Sequence, residues 1–132
     1  MAFDSEHMEK YEKKLAKAIL NRVSYMSDTK WKKFFQAIEK SGLAWLDIYD
    51  ATIKFVIDEV VKPFHFQDYC GGYIEGTYGP ARYKEIEWIF IPVSYGWNRA
   101  SNDIHALKKL VDGLGLYEYD FDEDGLKIYG YK

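Results

Sequence analysis

The sequence predicts an α+β domain: three helices and an antiparallel sheet of about five or six strands, in the order α-α-β-β-β-β-α-β-β. Three observations predict it. Apolar residues recur at helical spacing through the first forty positions and then switch to alternation. The decapeptide from Lys84 to Val93, Lys-Glu-Ile-Glu-Trp-Ile-Phe-Ile-Pro-Val, is apolar on both faces over its second half. Near the end of the chain, Asp124-Gly125 stands between two alternating runs, which marks a hairpin. At 132 residues, the chain reads as one domain, 1–132, long enough to bury a core without staples.

Taken in order, Met8, Tyr11, Leu15, Ala18, Ile19 and Val23 recur at intervals of three and four, with Lys10, Lys13, Lys14 and Lys17 opposite. This predicts an amphipathic helix from Ser5 to Met26, capped by Asp4 or Ser5, with Glu6 and Glu9 near its positive end. A second helix starts at Ser27-Asp28-Thr29, buries Trp31, Phe34, Phe35 and Ile38, and stops at Gly42. Leu43 to Tyr49 alternates as a strand. Residues 52–61, rich in branched side chains, read as a second strand in preference to a short helix, with Asp50-Ala51 turning between them.

From Phe64 to Tyr83, Gly71, Gly72, Gly76, Gly79 and Pro80 interrupt six aromatic residues. Here Tyr73 to Tyr78 is expected to pair with the central strand, and residues 79–82 to form the connection. In the central strand, Ile86, Trp88 and Phe90 share one face and Ile89, Ile91 and Val93 the other. Such a strand belongs inside a sheet covered on both sides, or at a partner surface. Glu85 and Glu87 read as solvent-facing. Tyr95-Gly96-Trp97-Asn98 is a loop. A third helix runs from Ser101 or Asn102 to Asp112, with Ile104, Leu107, Leu110, Val111 and Leu114 inward. The last hairpin is formed by residues 116–121 and 126–131.

Net charge is −3, unevenly placed: residues 1–40 carry nine Lys/Arg against six Asp/Glu, the remainder nine against fifteen. An acidic sheet side suits a basic protein surface and disfavours nucleic acid. The single cysteine, Cys70, rules out an internal disulfide and a multi-cysteine zinc site. The opening residues lack the apolar core of a signal peptide, and no run approaches a membrane span. A cytoplasmic location away from the membrane is therefore expected.

Motifs that could carry chemistry are weak. Asp120-Phe121-Asp122-Glu123-Asp124-Gly125 resembles the first half of an EF-hand loop, but Tyr131 stands where a bidentate Glu is needed. A hairpin turn explains the same residues. Cys70 near His65 and Asp68 invites a thiol-nucleophile reading, for which nothing in the sequence sets the geometry. His7, His65 and His105 make no metal-ligand spacing with one another. Gly71-Gly72 and Gly76-x-x-Gly79 lack the lysine and helix of a phosphate loop. No catalytic residue, metal or cofactor is assigned.

Met26-Ser27-Asp28-Thr29-Lys30-Trp31 and Tyr83-Lys84-Glu85-Ile86-Glu87-Trp88 resemble recurring features of a family of small bacterial proteins of unknown function. In that family a Thr-Lys-Trp helix start precedes a sheet with an Ile-Glu-Trp strand. The match covers about a tenth of the chain, and the family has no assigned catalytic residues to carry over. Its character is similar to that of immunity proteins that neutralise bacterial toxins. The resemblance implies a binding role rather than an enzymatic one.

The expected function is thus a non-enzymatic, immunity-like module binding a basic protein partner. Its surface would comprise Tyr73, Tyr78, Tyr95, Trp97, Tyr117 and Tyr119 as anchors, with Asp120, Asp122, Glu123 and Asp124 steering. Two alternatives stand beside it. One is a small-molecule binder or enzyme with a pocket near residues 64–83. The other is a structural homo-oligomer, such as a homodimer, burying the Ile89, Ile91 and Val93 face.

Overall fold

The computed structural model describes residues 5–41, 48–95 and 100–132. The helices are α1 (Ser5–Ile19), α2 (Asp28–Lys40) and α3 (Ile104–Leu114). The strands are β1 (Thr52–Phe55), β2 (Lys62–Pro63), β3 (Ile74–Gly76), β4 (Gly79–Ala81), β5 (Ile86–Pro92), β6 (Ser94–Tyr95), β7 (Ala100–Ser101), β8 (Tyr119–Phe121) and β9 (Gly125–Tyr129). Five of them form an antiparallel sheet in the order β2-β1-β5-β9-β8, while β3-β4 and β6-β7 are separate ribbons. The expected α+β class is what the structure has. The strand expected over residues 43–49 lies mostly outside the described residues.

Strand β5 occupies the middle of the sheet, between β1 and β9. It begins later than expected, because Tyr83–Glu85 forms a 3-10 turn in which Glu85 N bonds back to Arg82 O. Pairing of β1 with β5 slips between Lys54 and Phe55, so Lys54 faces Trp88 but Phe55 faces Ile86. That bulge puts Ile86 into the core, not on the face with Trp88 and Phe90. Glu87 is the extra residue, and its carbonyl accepts from both Gly130 N and Tyr131 N. Gly130 packs so closely that a Cβ there would stand 2.3 Å from Ile86 O.

Among the described residues, one face of the sheet is covered by helices and the other is not. Ile53, Ile89, Ile91, Leu126 and Ile128 are fully buried against α2 and α3. The opposite face leaves Trp88 and Phe90 half-exposed. The expectation of cover on both sides is therefore corrected. The Ile89 and Ile91 face, set aside for self-association, is used inside the chain.

Beneath α2 lies an aromatic cluster. Phe35 sits 5.2–6.2 Å, centroid to centroid, from Trp31, Phe34, Phe64, Phe66, Tyr69 and Tyr83. Ser27 caps α2 by accepting from Lys30 N at 3.1 Å, and Asp103 caps α3 by accepting from Ala106 N at 3.0 Å. The buried Asn102 donates to Tyr49 O and Pro92 O and accepts from Tyr49 N, tying the chain before β1 to the end of β5.

Three further expectations are corrected by long-range pairing. Helix α1 ends at Ile19 rather than Met26, because residues 23–25 run beside the chain end, with Val23 and Lys132 exchanging both backbone bonds. Strand β1 stops at Phe55, not Val61. Asp58 makes the turn, accepting from Val60 N and pairing with Lys62 Nζ at 2.9 Å, and the chain returns as β2. Pro63 then sits on the sheet edge, where a missing donor costs least. Residues 74–76 pair with 79–81 instead of the central strand, whose two sides β1 and β9 already fill. Among the described residues, no helix is long and apolar enough to cross a membrane.

Candidate functional site

Register determines which side chains share the open face of the sheet. One row runs Lys54, Trp88, Tyr129; the next runs Thr52, Phe90, Lys127, Asp120. Lys127 Nζ lies 4.4 Å from the Trp88 ring centroid, a cation over an aromatic face. The Tyr129 hydroxyl donates to Asp120 Oδ2 at 2.6 Å. Burial and that carboxylate push the Tyr129 hydroxyl up to about 12.

At the β8-β9 end, the turn brings Asp122 and Asp124 beside Asp120. Together with Trp88, Phe90 and Lys127 they line a shallow cavity of about 300 Å³. Asp122 Oδ1 accepts from Asp124 N at 2.8 Å and from Gly125 N at 3.3 Å, which shapes the turn. Gly125 is required there: its φ is +153° and a Cβ would stand 2.2 Å from Ile91 O. None of the three carboxylates forms an ion pair among the described residues. No group of three or more His, Cys, Asp or Glu among those residues is placed to hold a metal. Beside Lys54, Glu87 accepts from Arg22 at 2.6 Å and from Lys54 at 2.9 Å. It is a paired, half-buried carboxylate rather than the solvent-facing one expected.

The ten expected site residues divide among several places. Asp120, Asp122 and Asp124 converge on the cavity, and Glu123 is exposed at the tip of the turn. Tyr119 donates to Asp112 at 2.6 Å, and Tyr117 to Lys30 O at 3.0 Å, pinning the segment after α3 to the helical layer. Tyr78 donates to Asp68 Oδ2 at 3.0 Å and packs on Phe55. Tyr73 is exposed in a different groove. Trp97 and the side chain of Tyr95 lie outside the described residues. Trp88 and Phe90, which floor the cavity, are not among the expected site residues, because the pattern of their strand leaves open whether its second face is covered or lies at a partner surface.

The second concavity, of about 630 Å³, lies between α1 and the β3-β4 ribbon. His7, Met8 and Tyr11 line it from α1; Tyr73, Pro80, Ala81 and Arg82 line it from the ribbon side. At its base is Glu85, only 7% exposed, where the sequence predicts a solvent-facing residue. The 3-10 turn points this carboxylate inward. Its Oε1 accepts from the Tyr11 hydroxyl, and its Oε2 accepts from Arg82 N at 2.6 Å and Arg82 Nε at 3.4 Å. Burial raises the Glu85 pKa above the ordinary glutamate value, and the Arg82 N–H opposes this more weakly. Outside it, Arg82 and Lys84 both pair with Glu12, and the Arg82 hydrogen bond draws the Glu12 carboxyl below its ordinary value.

Cys70 is exposed, and its thiol donates to Asp68 O at 3.4 Å. The neighbouring His65 is bonded through its backbone N to Asp68, and among the described residues no imidazole bonds the thiol. That arrangement lacks the nucleophile–base contact a thiol mechanism uses. Comparison with protein-family models, with curated proteins and with solved structures found no match.

Proposed function

We propose that the protein is a non-enzymatic binding module, immunity-like in role, that takes a basic protein partner on the open face of its sheet. The observation that carries the reading is the joining of Trp88 and Phe90, half-exposed, to three carboxylates, Asp120, Asp122 and Asp124, that have no ion-pair partner among the described residues. Rings provide area that releases water on contact, and carboxylates raise the encounter rate with a cationic surface. The acidic balance of residues 41–132 extends the same field over much of the molecule.

Pull-down from the native host at low and high salt tests this, using the wild-type chain beside a Trp88→Ala/Asp124→Asn variant. A basic protein captured by wild type, released by salt and lost from the variant is the expected result. No captured protein at either salt, or equal capture by the variant, overturns the reading.

A further inference from the structure

We infer that the groove between α1 and the β3-β4 ribbon is a binding site for a small organic ammonium compound with an aromatic body, its amine directed at Glu85. This site is separate from the acidic notch on the sheet and does not depend on the protein-binding reading.

Three observations carry the inference. The groove's volume of about 630 Å³ suits a small-molecule site, and a recess of about 280 Å³ adjoins it, sharing Tyr11, Pro80, Ala81 and Glu85. Its rim leaves Met8 42% and Tyr73 40% exposed, so apolar surface stands ready to be covered. At its base lies a carboxylate that is only 7% exposed. Among the described residues Glu85 Oε1 has one donor, the Tyr11 hydroxyl, where a carboxylate oxygen can accept two. The nearest guanidinium reaches Oε2 only through Nε at 3.4 Å, because its Nη2 is turned outward to Glu12 at 2.5 Å.

An ammonium group answers these features together. One N–H supplies the second donor to Oε1, and its charge offsets the ionised carboxylate that burial disfavours. Tyr11 and Tyr73 offer ring faces to the cation or to the ligand's own ring, with Met8 and Pro80 completing the apolar wall. A neutral ligand of the same shape gains only the walls. An acid of that shape meets Glu85 as a like charge, while the Arg82 guanidinium in the same lining is already engaged by Glu12 and Glu85.

The test uses the full chain, isotopically labelled, titrated with phenethylamine and, separately, with 2-phenylethanol and 3-phenylpropionate while backbone amide shifts are followed. Phenethylamine is expected to move the Met8, Tyr11, Tyr73 and Ala81 amides and to bind about tenfold more tightly than the alcohol. Binding by the acid should be the weakest. Glu85→Gln should bring amine and alcohol to equal affinity. Tyr73→Ala, at an exposed position that leaves the core intact, should weaken both, which keeps the test decisive if the Glu85 variant misfolds. Equal affinity of amine and alcohol for wild type, amine shifts confined to Asp120–Asp124, or no effect of Tyr73→Ala would overturn the inference.

Discussion

Helices α1 and α2 carry the same kind of amphipathic pattern and are attached in opposite ways. Helix α2 is 13 residues long and sinks Trp31, Phe34, Phe35 and Ile38 completely into the aromatic cluster. Helix α1 is 15 residues long; among its described side chains Leu15 alone is fully buried, against Val56 and Tyr131 near the end of the sheet, with Ala18 and Ile19 partly buried beside it. Each fully buried large side chain contributes roughly 1.5–3 kcal/mol, so α2 is held several times more strongly by apolar contact. Its other contacts to the sheet side are polar, Tyr11 to Glu85 and Glu12 to Arg82 and Lys84. The exposed pairs among these add little stability, but they set the helix at a distance that leaves a groove. Periodicity reports which side of a helix faces inward; depth depends on the shape of what receives it.

This contrast makes measurable demands. Phe35→Ala should cost the most, about 3–5 kcal/mol in urea denaturation, because Phe35 touches six other rings. A loss below about 1 kcal/mol would mean that the cluster is not the centre of stability. Leu15→Ala should cost about 2 kcal/mol and act locally. Hydrogen exchange should quicken in α1 while the amides of Ile89 and Ile91 keep their protection. Uniform loss of protection would place both helices in one cooperative unit and remove the distinction.

The smallest expected effect is in pH dependence. The Glu85 pKa is raised in the folded chain, chiefly by burial, so the unfolded chain ionises first as pH rises. The contribution of Glu85 is therefore fully present below its unfolded pKa and is lost as pH climbs through the folded one. Denaturation midpoints from about pH 4 to pH 8 should fall for wild type relative to Glu85→Gln over that window. Parallel profiles would show that the carboxylate is solvated and that the Tyr11 contact does not close over it.

Much of the fold was legible from local pattern. The stripe of Trp31, Phe34, Phe35 and Ile38, the inward set Ile104, Leu107 and Val111, and the turn at Asp122–Gly125 lie where spacing places them. The candidate site was legible only in part. Asp120, Asp122 and Asp124 converge, but strand pattern alone does not decide whether Trp88 and Phe90 are covered or meet a partner, and it places Glu85 in solvent where the structure buries it. Sequence pattern makes Tyr117 and Tyr119 surface anchors, yet their hydroxyls bond Lys30 O and Asp112.

The order of residues along the chain settles the period of each element and the identity of its turns, because those depend on neighbours within a few positions. Three things came only with the assembled molecule: cover on a single face of β5, the bulge that sends Ile86 inward, and the 3-10 turn that buries Glu85 beneath Tyr11. Each depends on a partner far away in sequence, as Tyr11 is from Glu85 and Gly130 from Glu87. Spacing within one segment carries no information about which distant surface will meet it.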